Sequence, residues 1–158
     1  MKLYVMRHGH SPSAIEAGVG SDSERPLSHA GKDDARRSGK YLLSRGAEPT
    51  LLLTSPLKRA LETSQEAART FARPPEVKVY EPLANRLTGE DLLRRLIEDE
   101  SLPEETLLVG HQPQLGELAT CLTGAYFDLK PAGLVAVEFD PSGKSRHLWS
   151  ANPAEMSA

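Results

Sequence analysis

Short apolar runs that stop abruptly at polar, chemistry-bearing residues constrain this chain more than any other feature. Residues 3–6 (Leu-Tyr-Val-Met) stop at Arg7-His8-Gly9, residues 50–54 (Thr-Leu-Leu-Leu-Thr) at Ser55-Pro56, and residues 106–109 (Thr-Leu-Leu-Val) at Gly110-His111. Runs of this length, bounded by turn residues, read as buried strands, and residues 77–80 are a further candidate. Longer helical segments lie between them. Ser28 opens one that runs through Arg45, with Ala35, Tyr41, Leu42 and Leu43 in helical spacing and Gly46 as its stop. Ser55-Pro56 opens a second, with Leu57, Ala60, Leu61, Ser64 and Ala68 on one stripe; residues 90–98 and 114–122 complete the set. The stretch 9–26 is small and polar and reads as a loop with one helical turn near residues 14–17. Residues 134–139 and 146–150, joined by Pro141-Ser142-Gly143, read as a closing hairpin.

Strands alternating with helices, followed by a hairpin, predict an α/β domain: a three-layer α/β/α arrangement whose central sheet is mostly parallel with an antiparallel edge. At 158 residues, 39% of them hydrophobic, the chain fits one domain able to bury roughly 70% of its unfolded surface, with a loose tail from about residue 152. The 19 Lys+Arg stand against 22 Asp+Glu, a net charge of -3 with 5% aromatic residues, which argues against a nucleic-acid binder. One cysteine, Cys121, forms no internal disulfide, and its helix places it as a small buried hydrophobe. No long apolar run or signal-like N-terminus is present, so the expectation is a cytoplasmic protein that engages no membrane, and a monomer.

In an open parallel sheet the ligand site lies beyond the carboxyl ends of the strands. That rule gathers Arg7-His8, Arg59 and His111 into one cleft. Two guanidinium forks and two imidazoles describe a site for a dianion, and phosphate is the natural one. Phosphoryl transfer needs mainly positioning and electrostatic stabilisation, which Arg7, Arg59 and His111 can supply, leaving His8 as the nucleophile. An attacking His8 must be neutral while His111 works best protonated, so a bell-shaped pH profile is expected.

The motifs Arg7-His8-Gly9, Ser55-Pro56-Leu57-Lys58-Arg59-Ala60 with Thr63, and Val109-Gly110-His111-Gln112-Pro113 resemble the histidine phosphatase (phosphoglycerate mutase-like) superfamily along essentially the whole chain. The short length and the segment Ser21-Asp22-Ser23-Glu24-Arg25-Pro26-Leu27-Ser28 ahead of Gly31 look most like the SixA-type phosphohistidine phosphatases. The resemblance implies a metal-independent phosphatase with no cofactor, His8 transiently phosphorylated, and Arg7, Arg59 and His111 completing the phosphate pocket. It implies Arg25 as an additional phosphate-side or substrate-side contact. The partner it implies is a phosphorylated protein, such as a histidine phosphotransfer domain in signalling.

Family members that act on phosphate monoesters usually carry a carboxylate after the third strand to protonate the departing alkoxide. Here that position reads as Asn85, with Glu81 as the alternative acid. Phosphohistidine releases a better leaving group than an alkoxide, which favours it as substrate. The rival enzyme is a small-molecule phosphomonoesterase acting on sugar or nucleotide-derived phosphates, and the rival of another class is a non-catalytic phosphate-binding regulatory module. A metal site of His8, His10 and His111 would set two arginines against the cation. The Gly18-Val19-Gly20 segment lacks the strand and third glycine of a dinucleotide fingerprint.

Overall fold

The computed structural model describes residues 1–140, 142 and 144–156. Six strands form one sheet in the order β3-β2-β4-β1-β5-β6: β1 (Lys2–Arg7), β2 (Leu51–Thr54), β3 (Glu76–Val79), β4 (Glu105–Gly110), β5 (Leu134–Glu138) and β6 (Arg146–Ala151). Strands β3, β2, β4 and β1 run parallel, and β5 and β6 add the antiparallel edge. The helices are α1 (Ala14–Ala17), α2 (His29–Ser44), α3 (Lys58–Ala68), α4 (Gly89–Glu98) and α5 (Gln114–Thr123).

Side chains of a strand alternate between faces, so a strand covered by helices on both sides is apolar at successive positions. Leu3, Val5, Leu53 and Leu108 enter a core with Leu92 and Leu96 of α4 and Leu115 and Leu118 of α5. Their neighbours Tyr4, Met6, Leu52, Leu107 and Val109 enter a second core with Leu42 of α2 and Ala60 and Ala67 of α3. This is the three-layer arrangement the apolar runs predicted. On α3 the fully buried positions are Arg59, Ala60, Thr63, Ser64, Glu66, Ala67 and Ala68, whereas Leu57 and Leu61 are only half-buried. The stripe is rotated from the expected one because small residues let α3 approach α2: a Cβ on Gly39 of α2 would sit 2.8 Å from the Ala67 carbonyl oxygen.

Two further expectations are corrected. Residues 153–156 are ordered: Pro153–Glu155 form a 3-10 turn closed by an Asn152 capping box, and Met156 is buried with its sulfur beside the Ser38 hydroxyl. Cys121 is exposed, because the buried face of α5 is carried by Leu115, Leu118, Ala119 and Leu122, and the next position round the helix turns outward. The hairpin strands β5 and β6 form as expected, but Pro141 and Gly143 of the expected turn lie outside the described residues. No helix among the described residues is long and apolar enough to cross a membrane.

Glycine matters where the β1 exit loop meets α2. A Cβ on Gly9 would lie 2.7 Å from the Gly31 carbonyl oxygen, and one on Gly31 would collide with the His10 carbonyl oxygen. Ser28 caps α2, accepting from the Gly31 amide at 3.0 Å, and its own amide donates to the His10 carbonyl at 3.0 Å. Gly31→Ala is therefore expected to push α2 from the loop that carries His8. The expected cost is about 2 kcal/mol, read from urea midpoints, with a loss of activity accompanying it.

Candidate active site

The parallel register places three strand exits side by side: Thr54 and Met6 both pair with Val109, and Arg7 pairs with Gly110. The backbone continues the ladder past the strands, with the His8 amide donating to the Gly110 carbonyl at 2.9 Å and the Ser55 amide to the Val109 carbonyl at 3.0 Å. Arg7, His8, Ser55 and His111 thus leave one sheet edge together, and the first turns of α3 bring Arg59 to them.

His8 is buried, with its ring 5.0 Å from that of His111, centroid to centroid. Its Nδ1 lies 2.7 Å from the Gly9 carbonyl oxygen. A carbonyl only accepts, so Nδ1 carries the proton and Nε2 keeps its lone pair. Burial, with the charges of Arg59, Arg7 and Arg25 and against the opposing Gly9 hydrogen bond, holds the His8 pKa down to about 4. The imidazole is neutral and nucleophilic at neutral pH. Thr63 locks the loop behind it, accepting from the Gly9 amide at 3.0 Å and donating to the Arg59 carbonyl at 2.7 Å.

His111 is buried too, and burial, then His8 and Arg59, hold its pKa down to about 3. Its Nε2 meets the Ser55 hydroxyl at 2.7 Å. Ser55 Oγ accepts from the Leu57 amide at 3.2 Å, so the hydroxyl proton is free to point at Nε2. With the hydroxyl donating to Nε2, the proton of a neutral His111 sits on Nδ1, a buried atom with no partner among the described residues. In that tautomer a neutral His111 donates from Nδ1 without being an imidazolium, whereas the sequence reading has it working best protonated. The second limb of a bell then has no source in His111. With the substrate's own ionisations accounted for, kcat/KM is expected to fall through a single acid limb near pH 4 as His8 gains its proton. A limb at pH 6 to 7 would contradict that.

Arg7 donates from Nη1 to the Leu129 carbonyl at 2.9 Å, while its buried Nε has no partner among the described residues. Arg59 is buried and donates to Asp22, Nη1 to the backbone carbonyl at 2.9 Å and Nη2 to Oδ2 at 3.1 Å. Arg25 is engaged with its own loop: Nε donates to the Pro12 carbonyl at 2.8 Å, Nη2 to the Ser11 carbonyl at 3.2 Å and Nη1 to Asp22 Oδ1 at 2.9 Å. Its charge reaches His8, but its donors organise the loop.

Both positions considered after β3 have partners of their own. Asn85 stands at φ 70°, a left-handed conformation asparagine tolerates, and spends its amide as a latch: Nδ2 donates to the Gln112 carbonyl at 3.0 Å and Oδ1 accepts from the Gln114 amide at 3.2 Å. Glu81 is exposed and pairs with Arg86 at 3.4 Å. His10 meets the Ser28 hydroxyl at 2.8 Å. Sequence reasoning missed Asp22, the carboxylate whose charge does reach His111. The Asp22 and Arg25 spacing of three signals their pairing, but nothing local signals Asp22 with Arg59, 37 residues away.

The family model for the histidine phosphatase superfamily (branch 1) matches residues 3–101. An uncharacterised protein of Picosynechococcus sp. is 35% identical over 151 residues, covering 92% of this chain and 88% of that one. Phosphohistidine phosphatase SixA of Escherichia coli (strain K12) is 26% identical over 162 residues, covering 99% and 96%. The solved structure of the protein histidine phosphatase SixA complexed with tungstate superposes with a TM-score of 0.85 at 25% identity, covering 98% of each chain. With its phosphoglycerate mutase-like fold and this pocket, the chain belongs to branch 1 of the histidine phosphatase superfamily.

Proposed function

We propose that the chain hydrolyses phosphohistidine on a signalling or phosphotransfer protein, without a metal, through transient phosphorylation of His8. The observation that carries the substrate class is the state of Asn85. Both ends of its amide are committed to holding the α4 and α5 loops together, so the position where monoester-cleaving relatives carry an acid has no proton to give. A phosphorylated imidazole needs none from the enzyme, because its unphosphorylated ring nitrogen takes a proton from solvent before the bond breaks. With a proton on its other ring nitrogen, it leaves as neutral imidazole.

The Nε2 lone pair of His8 attacks phosphorus, the bond from phosphorus to the substrate nitrogen breaks, and its electron pair stays on the departing ring. Water then attacks the phosphorus on His8, the bond to Nε2 breaks, its electron pair returns to Nε2, and the water's second proton leaves with phosphate or solvent. The partnerless donors, Arg7 Nε and His111 Nδ1, together with the remaining N–H groups of Arg59, take the phosphoryl oxygens. The similarity to SixA supports this reading.

The test is phosphate release, in EDTA, from a histidine-phosphorylated phosphotransfer domain and from sugar and nucleotide monoesters. Fast release from the phosphoprotein is expected. Preference for a monoester would move the function to small-molecule phosphate metabolism, and phosphate binding without turnover would make the chain a regulatory module.

A further inference from the structure

Asp22 is the carboxylate the pocket's arginines hold, and the phosphate chemistry above leaves it unused. It opens the 3-10 turn Asp22–Glu24 in the loop between β1 and α2. One oxygen and its backbone carbonyl lie on Arg59, and the other oxygen lies on Arg25, which is itself fixed to two backbone carbonyls of the same loop. The hydrogen bond from Arg25 and the Arg59 charge keep the carboxyl below the usual range, so it is ionised at neutral pH.

The arrangement has an inside and an outside. The Arg59 side chain is 10% exposed and that of Asp22 is 64% exposed, so the carboxylate covers the solvent side of the guanidinium. A guanidinium has five N–H donors, and Asp22 takes one from each terminal nitrogen, which leaves three uncommitted to Asp22. An exposed carboxylate at the rim of a buried phosphate-binding guanidinium is placed to meet what a phosphoryl group carries outward.

We propose that Asp22 is a specificity-determining residue: its carboxylate accepts the free ring N–H of a phosphorylated imidazole and repels leaving groups that carry anionic oxygen. The inference rests on the phosphohistidine reading and deepens it. A carboxylate beside that N–H keeps the proton on the substrate ring, so that when the bond to phosphorus breaks, the electron pair on the departing nitrogen completes a neutral imidazole. Beside a monoester the same carboxylate has no proton to give and faces a developing alkoxide.

Asp22→Asn removes the charge while the amide oxygen and the backbone carbonyl can still accept from Arg59; its NH2 then faces Arg25, and Arg25→Ala, which removes that contact and keeps the Asp22 charge, is the control for loop placement. The experiment compares kcat/KM for a phosphohistidine peptide and for p-nitrophenyl phosphate in wild type and Asp22→Asn, with inhibition by inorganic phosphate measured alongside. The expected result is a ratio of the two kcat/KM values shifted toward the monoester by at least about tenfold, the effect of one unit charge a few ångströms away, with tighter inhibition by phosphate. Equal loss on both substrates would reduce Asp22 to a positioning residue for Arg59 and overturn the proposal, as would an unchanged ratio. The wild-type ranking of the substrates tests the phosphohistidine reading separately, since a monoester-preferring enzyme whose ratio still shifts would keep Asp22 and lose the substrate.

Discussion

Replacing His8 with alanine is expected to lower kcat/KM by at least about 10⁴-fold, as removal of a covalent nucleophile does when the surrounding binding groups remain. Arg7, Arg59 and His111 keep their own anchors, on Leu129, Asp22 and Ser55, so the variant should still bind inorganic phosphate. A second consequence follows from burial. The His8 pKa is about 4 in the folded protein against about 6.5 when exposed, so the unfolded chain takes up this proton first as the pH falls. The stability associated with a neutral His8 is complete above about pH 6.5 and is lost as the pH falls toward 4, a change of roughly 3 kcal/mol. His8→Ala lacks this contribution, so its urea midpoint should decline less than that of wild type across the same window. An equally steep decline would place the linkage elsewhere.

The second large effect belongs to Arg59. Arg59→Lys keeps the charge but loses the planar fork that holds Asp22 and, in the proposed reaction, also holds the phosphoryl group. The expected loss in kcat/KM is about 10²-fold or more, close to that of Arg59→Ala, because geometry and not only charge stabilises the transferring group. Full activity in the lysine variant would show that a point charge suffices there. The buried ammonium must also leave Asp22 without one of its two partners, so the loop carrying Asp22 and Arg25 should become more susceptible to proteolysis.

Much of this architecture is legible in the sequence because burial on both sheet faces forces continuous apolar runs, and those runs end where the chemistry begins. Arg7, His8 and His111 follow directly from β1 and β4, so locating the strands locates them. Arg59 is legible for the same reason, one short turn after β2. What escapes are contacts between loops. Asp22 reaches Arg59 only through the path of an irregular segment, which no periodicity encodes. Asn85 is a loop residue whose role as a latch depends on where α5 begins. Met156 packs in the short C-terminal segment through a partner, Ser38, 118 positions away. Cys121 is a different case: the helical rotation from Leu118 and Leu122 already turns it outward, so its exposure was readable from α5 itself.

The proposed reaction turns on a neutral Nε2 at His8 becoming the bond to phosphorus, and a rapid-quench experiment with a ³²P-labelled phosphohistidine protein reads that bond directly. Label is expected to appear on the enzyme as an acid-labile, alkali-stable adduct, to map to the peptide bearing His8, and to be absent from His8→Ala. Full turnover by an enzyme that never carries label, or label retained in the alanine variant, would contradict the account.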